Sequence, residues 1–323
     1  MNHWPPLIAM LVAALAIRWL QSARFGTRLQ DIPNQRSLHS APTPRIGGIG
    51  LMAGMLCGWL LLPVAPAWWL LLPLLGLFAV SLLDDLTGLP VGKRLLAQTA
   101  AAAVWLAGSG FLSQQGAALS LGVLLLMVWM TNLYNFMDGS DGLAGGMALF
   151  GFGACSLAAW WGGEADLAML GLTLAAAALG FLVHNFPVAK VFMGDAGSIP
   201  LGFLAAALGL GGWQQGIWPA WFPVLVFSPF IVDATVTLAR RTLRGAKITE
   251  AHREHYYQRA IQIGWSHRRV ALVEYVLMLG AAASALFALR QGALWVVVPA
   301  WVIVYGLLMR AIDAAWATRG AHV

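Results

Sequence analysis

Eleven apolar runs constrain this chain more than any other feature, at residues 4–22, 46–63, 67–83, 94–110, 118–136, 143–161, 167–184, 198–212, 218–239, 270–289 and 294–312. A helix needs about 20 apolar residues to cross the hydrocarbon core of a bilayer, and only helices or closed barrels satisfy every backbone polar group there. With 60% apolar and 10% charged residues among 323, little sequence is left for a water-soluble domain. The expectation is a single all-α membrane domain over residues 1–323, a polytopic protein of ten or eleven spans. Cys57 and Cys155 both fall inside apolar runs and read as small packing residues.

The basic residues give the runs a direction. If the N-terminus lies outside, the inner loops are 23–45, 84–93, 137–142, 185–197 and 240–269. Those loops, their adjoining helix ends and the C-terminal tail then hold every lysine and arginine except Arg290, with Arg24, Arg28 and Arg36 in the first loop. Basic residues collect on the cytoplasmic side, so an eleven-span chain has its N-terminus outside and its C-terminus inside. The first run has no basic residue before it and Arg18 at its inner end, which suits an uncleaved helix. The net charge of +6 is explained by the same bias and calls for no nucleic-acid partner.

On that map six aspartates share one face. Asp84 and Asp85 end the third run, Asp138 and Asp141 follow the fifth, Asp195 lies between the seventh and eighth, and Asp233 is in the inner half of the ninth. Acids at membrane depth are costly and mark ion or substrate sites, although each alone could be a helix cap or a partner for a nearby arginine. Six beside Arg45, Lys93 and His255 favour a site. Carboxylates and asparagine oxygens suit a hard cation such as magnesium, cations neutralise phosphate, and glycine loops admit backbone donors. This is an inventory for phosphoryl transfer, without the P-loop of an ATPase.

Five segments, in order, carry a resemblance: "RSLHSAPTPRIGGIG" (36–50), "LLDDLTGLPVGKRLLAQ" (82–98), "NLYNFMDGSDGLAGG" (132–146), "HNFPVAKVFMGDAGSIPLG" (184–202) and "HREHYYQRAIQIGWSHRR" (252–269). Together they resemble the polyprenyl-phosphate N-acetylhexosamine-1-phosphate transferases, which begin lipid-linked glycan synthesis and include the peptidoglycan enzyme making lipid I. The resemblance implies a multi-pass enzyme of the bacterial inner membrane with its active site at the cytoplasmic face. It implies transfer of sugar phosphate from a UDP-N-acetylhexosamine to polyprenyl phosphate, releasing UMP. It also implies magnesium, with manganese as an alternative, and leaves a homodimer open.

Residue by residue, the resemblance makes Asp195 a magnesium ligand, with Asp84 and Asp85 as further ligands or with one of them deprotonating the lipid phosphate. Asp84, Asp85, Asp138, Asp141 and His255 become the catalytic candidates. Asn135, Asp138 and Asp141 are placed near the nucleotide, and Asn185 and Phe192 at the uracil, with plain packing as the alternative for Phe192. Arg45 and Lys93 are candidates for phosphate contacts, with a membrane anchor as the alternative for each and a nearly equal one for Arg45. His252, His255, Arg253 and Arg259 are candidates for anion binding in the last large inner loop.

Two departures narrow the branch. Leu86, Thr87 and Gly88 stand where the peptidoglycan enzymes carry a lysine, and "HREHYYQR" replaces their run of histidines. The pattern more resembles enzymes that initiate O-antigen and related surface polysaccharides with GlcNAc, FucNAc or QuiNAc. The loop from Lys247 to Arg269, with Tyr256, Tyr257, Gln258 and Trp265, is the expected reader of the sugar. Two other readings are the phospho-MurNAc-pentapeptide transferase and an ion-coupled transporter; the second calls for internal repeats and acids near the bilayer midplane.

Overall fold

Each of the eleven apolar runs holds helix in the computed structural model, which describes residues 4–22, 29–33, 38, 41–247 and 252–320. Arg24, Arg28 and Arg36 lie outside the described residues, as do parts of the first motif and residues 248–251 of the sugar loop. The order is α1 (Trp4–Ser22), β1 (Gln30–Asp31), β2 (Thr43–Pro44), α2 (Gly47–Trp59), α3 (Trp68–Thr87), α4 (Val91–Gly108), α5 (Phe111–Gln115), α6 (Ala117–Phe136), α7 (Leu143–Trp161) and α8 (Ala165–Asn185). It continues with α9 (Asp195–Gln214), α10 (Trp221–Val226), α11 (Ser228–Leu243), α12 (Tyr256–Gln262), α13 (His267–Gln291) and α14 (Leu294–Gly320). The protein is an all-α polytopic membrane protein, and the antiparallel pair β1–β2 is a two-residue ladder in the first loop.

Eight of these helices, α1, α3, α6, α7, α8, α9, α13 and α14, are long and apolar enough to cross a bilayer on their own. The other three runs are less regular than their hydropathy suggests. α2 has 13 residues, a rise of about 20 Å, short of the ~30 Å hydrocarbon core. α4 carries Lys93 and Arg94 in its first turn, which lower its hydropathy. The ninth run breaks at Phe227 into α10 and α11, with a proline among the first residues of α11.

Glycine sets how closely the early helices approach. A Cβ at Gly54 of α2 would lie 2.7 Å from Ala13 Cβ of α1, and one at Gly48 would lie 2.6 Å from Gly197 Cα and Met193 O at the start of α9. Direct backbone contact follows, and Gly48 N donates to Met193 O at 2.8 Å. Helices α1, α2, α7, α8 and α9 form this dense part, and α11 to α14 pack along its side.

The chain alternates direction through the bundle. α3 ends at Asp84 and Asp85, α6 ends beside Asn135, α8 ends at Asn185, and α4, α7, α9 and α13 all open at that same end. α1 runs antiparallel to α2 and so starts at the opposite end, while Asp313 near the close of α14 meets Arg240 and Arg259 on the site side. At the remote end, Arg290 stacks on Trp161 with its guanidinium carbon 3.8 Å from the ring centroid.

Candidate active site

The loops at this end of the bundle meet in one cavity of about 320 Å³, lined by Asp31, Leu38, Arg45, Asp85, Asn135, Asp138, Gly139, Ser140, Asp141, Asn185, Phe192, Gly194, Asp195, Gln258 and His267. Segments far apart in sequence reach it because each closes or opens a helix at the same end. The acids gather at that end rather than at the midplane, which goes against the transporter reading.

Asp195 is the first residue of α9. Its Oδ1 accepts from Asn135 Nδ2 at 2.8 Å, and Asn135 also reaches Ser198 Oγ at 2.9 Å. Asp195 Oδ2 lies 3.5 Å from Arg94 Nη1, and the same nitrogen donates to Asp84 Oδ2 at 3.1 Å. Arg94, not Lys93, is therefore the cation of α4 at the site. Neither residue lines the cavity itself, but Arg94 reaches its Asp195, whereas Lys93 is exposed. Neighbouring helical residues point about 100° apart, so only one of two adjacent cations can face inward, and sequence alone gave no reason to prefer the second.

The two acids of the pair divide their work. Asp85, with its side chain 1% exposed, accepts from the backbone N–H groups of Asp195 (3.2 Å) and Ala196 (2.9 Å) and so caps α9, while Arg45 Nη1 stands 3.7 Å away. Asp84 accepts from Leu89 N and from Arg94, and it acts on Asp195 both through that arginine and directly, carboxyl against carboxyl. Arg45 is aimed by the β1–β2 ladder, its Nη2 donating to Asp31 Oδ1 at 2.5 Å. The guanidinium's pKa is raised: burial opposes its charge, but Asp31, Asp85 and Asp195 outweigh that.

Asp138 is held well above the usual carboxylate range, first by burial and then by the nearby charges of Asp195 and Asp85, with Arg45 opposing. Asp141 accepts from Ala189 N at 2.9 Å, and Asn185 bridges two loops by accepting from Gly142 N and donating to Val191 O, each at 2.8 Å. These two fix the cavity wall. Phe192 lines the cavity and its backbone pairs with Pro44 O and Gly47 N.

The last loop differs most from the expectation. His255 is buried, with Nδ1 3.4 Å from Asp233 Oδ1 and its ring stacked on Phe136 at 6.1 Å, outside the cavity lining. His252 packs on it at 4.9 Å, and burial together with His255 and Arg241 lowers its pKa to about 4. Arg259 is held by Asp313 at 2.9 Å and Glu254 at 3.5 Å, and Arg253 is exposed. Asp233 accepts from Tyr256 N (2.9 Å) and Tyr257 N (3.1 Å), so it caps α12 and does not enter the cavity. Of the four residues expected to read the sugar, only Gln258 lines the cavity; Trp265 instead stacks under Arg269 at 4.1 Å.

Sequence reasoning passed over His267, although it stands in a quoted motif. Its Nδ1 lies 3.0 Å from Ser140 Oγ and its Nε2 3.2 Å from Leu38 O, joining three loops at the cavity rim. The signal was present as the first residue of an apolar helix.

Among the described residues no three His, Cys, Asp or Glu side chains converge as a metal cage. Magnesium does not require one, because it usually takes one or two carboxylates and completes its shell with water and substrate phosphate. Asp195 and Asp138 in the cavity, with Asn135 Oδ1 left over from its amide contacts, are donors of the right hardness.

A helical membrane bundle whose loops join carboxylates, glycines and Arg45 in one polar cavity, with Arg94 bridging Asp84 and Asp195 beside it, has the make-up of a membrane phosphotransferase. The sequence comparisons agree. Residues 67–212 match the model of glycosyl transferase family 4. A decaprenyl-phosphate N-acetylglucosaminephosphotransferase of Mycolicibacterium smegmatis is 31% identical, covering 96% of this chain and 89% of its own. A probable undecaprenyl-phosphate N-acetylglucosaminyl 1-phosphate transferase of Bacillus subtilis is 29% identical, covering 82% and 78%. A phospho-N-acetylmuramoyl-pentapeptide-transferase of Geobacillus kaustophilus is 30% identical, covering 82% and 90%. The chain belongs to this family, the polyprenyl-phosphate N-acetylhexosamine-1-phosphate transferases.

Proposed function

We propose that the cavity opens to the cytoplasm of a bacterial inner membrane and there joins a UDP-N-acetylhexosamine to undecaprenyl or another polyprenyl phosphate. The convergence of Asp195, Asn135, Arg45 and Arg94 at one end of an apolar bundle carries this reading, since it sets a soluble donor against a lipid head group. An oxygen of the lipid phosphate bonds to the β-phosphorus of the donor as the bridge to the α-phosphate breaks, and UMP leaves. Arg45 and Arg94 neutralise phosphate oxygens, and Asp195 and Asp138 with Asn135 are the residues that would hold magnesium, which would supply charge shielding for the diphosphate. A phosphate monoester is already largely dianionic at neutral pH, with a second pKa of about 6. Asp84 therefore serves by orienting Arg94 as readily as by taking a proton.

The sugar is GlcNAc or a deoxy relative such as FucNAc or QuiNAc, and the product initiates O-antigen or another envelope polysaccharide. The absence of a histidine run beside the cavity and the N-acetylglucosamine relatives support this choice. The pentapeptide relatives keep the second donor in view. Purified protein in vesicles with polyprenyl phosphate, given UDP-GlcNAc and UDP-MurNAc-pentapeptide in competition, is expected to make only the former's lipid product; preferential formation of the pentapeptide lipid overturns the assignment. A reporter fused after Val323 is expected to be active only on the cytoplasmic side, and activity outside contradicts the orientation.

A further inference from the structure

The terminal helix α14 is the least embedded long helix of the bundle, with 17% of its apolar window buried. Yet its Asp313 is engaged from three directions. Oδ1 accepts from Arg259 Nη1 at 2.9 Å, and Oδ2 accepts from Arg240 Nη1 at 2.6 Å and from the Tyr256 hydroxyl at 3.2 Å. The two guanidinium groups also lie over the Tyr256 ring, 5.5 and 5.4 Å from its centroid. A surface ion pair is ordinarily weak, but a network that shares one carboxylate among two arginines and a phenol fixes a geometry.

All of these partners but Arg240 sit on α12, a helix of seven residues that cannot hold itself in place by its own hydrogen bonds. Its other face forms the rim of the donor cavity. The Tyr257 hydroxyl donates to Phe136 O at 2.9 Å and presses on Gly139, and Gln258 lines the cavity while its Oε1 accepts from His255 N at 3.2 Å. α12 is thus a wedge between Asp313 on one side and the loop of Asp138 and Asp141 on the other.

We propose that Asp313 is a positioning residue for the donor site: it touches no substrate, and through Arg259 and Tyr256 it sets the α12 face that places Gln258 and backs the 137–142 loop. The proposal rests on the reading of that cavity as the nucleotide-sugar site. Asp313→Asn keeps the shape and removes the charge, leaving Arg240 and Arg259 to turn toward Glu254 or solvent, so the cost falls on donor binding.

The test uses the full-length protein reconstituted in vesicles with polyprenyl phosphate, and measures UMP binding, the KM for UDP-sugar and for lipid, kcat and the melting temperature. Asp313→Asn is expected to weaken UMP binding and raise the donor KM roughly 5- to 10-fold, the scale of coupling carried through packed networks. The lipid KM, kcat and Tm should hold, and Asp313→Glu should recover most of the donor affinity. Unchanged UMP binding and donor KM in Asp313→Asn overturn the proposal, as does a joint fall of kcat, both affinities and Tm. Wild-type protein that binds no UMP overturns the functional reading, and the proposal with it.

Discussion

Helices α9 and α14 are both long and apolar, and they sit in the protein in opposite ways. In α9, 89% of the apolar window is buried inside the protein, against 17% in α14. The dense half is built on glycine: α2 lies so close to α1 and to the start of α9 that a single added Cβ at Gly48 would meet backbone atoms. The looser half is held by charge, with Asp313, Glu254 and four arginines joining α11, α12 and α14. Packing in a membrane gains little from hydrophobicity, because lipid is as apolar as leucine, so close approach and polar contacts are the two means available. The protein uses one for each half. Asp195, which needs fixed geometry, opens α9 of the dense half, with Asp85 of α3 and Asn135 of α6 bonded to that same helix start, and Gln258 at the cavity rim lies on the half held by charge.

The largest effect expected from this division is on the dense side. Asp195→Asn should lower kcat roughly 100- to 1,000-fold, the scale of losing one preorganised charge at a reacting phosphate, while its melting temperature stays near wild type. Near-normal turnover would remove Asp195 from the chemistry. Gly48→Ala should destabilise the protein by about 1–3 kcal/mol through overpacking, read as a lowered Tm in detergent. If Gly48→Ala melts like wild type, the close contact of α2 with α9 is not what holds the acids.

How much of this was legible in the sequence follows the same line. Hydropathy located all eleven runs, and the motifs named Asp85, Asp195, Asn135 and Arg45, because local patterns report helix ends and the polar residues set there. They could not report partners across the bundle. Asp233 reads in sequence like the other acids, yet both its oxygens cap α12 from another helix. Arg259 reads as an anion binder until Asp313, 54 residues on, is seen to hold it. Lys93 and Arg94 differ by one helical step, which only the packing of α4 on α3 resolves.

Smaller effects belong to the charged side. Asp233→Asn weakens the α12 cap, worth about 1 kcal/mol, and should raise the donor KM a few-fold with kcat nearly kept. A loss of kcat as large as in Asp195→Asn would erase the distinction between the halves. The smallest effect is in acid. His252 is held neutral, with its pKa lowered from 6.5 to about 4 by burial and by His255 and Arg241. Its contribution to stability is therefore present above pH 6.5 and is lost as pH falls toward 4, because the unfolded chain takes up the proton first. His252→Asn should flatten Tm against pH in that window. Glu254, whose pKa is lowered by Arg244 and Arg241 against the effect of burial, adds its own loss below 4.5 in both proteins.

The central claim is that this cavity moves a sugar together with its phosphate. UDP-GlcNAc labelled at the β-phosphorus, given to the reconstituted protein with polyprenyl phosphate, tests it directly. The account predicts that the label enters the lipid and that unlabelled UMP is released in equal amount; label recovered in UDP, with sugar alone on the lipid, would contradict it.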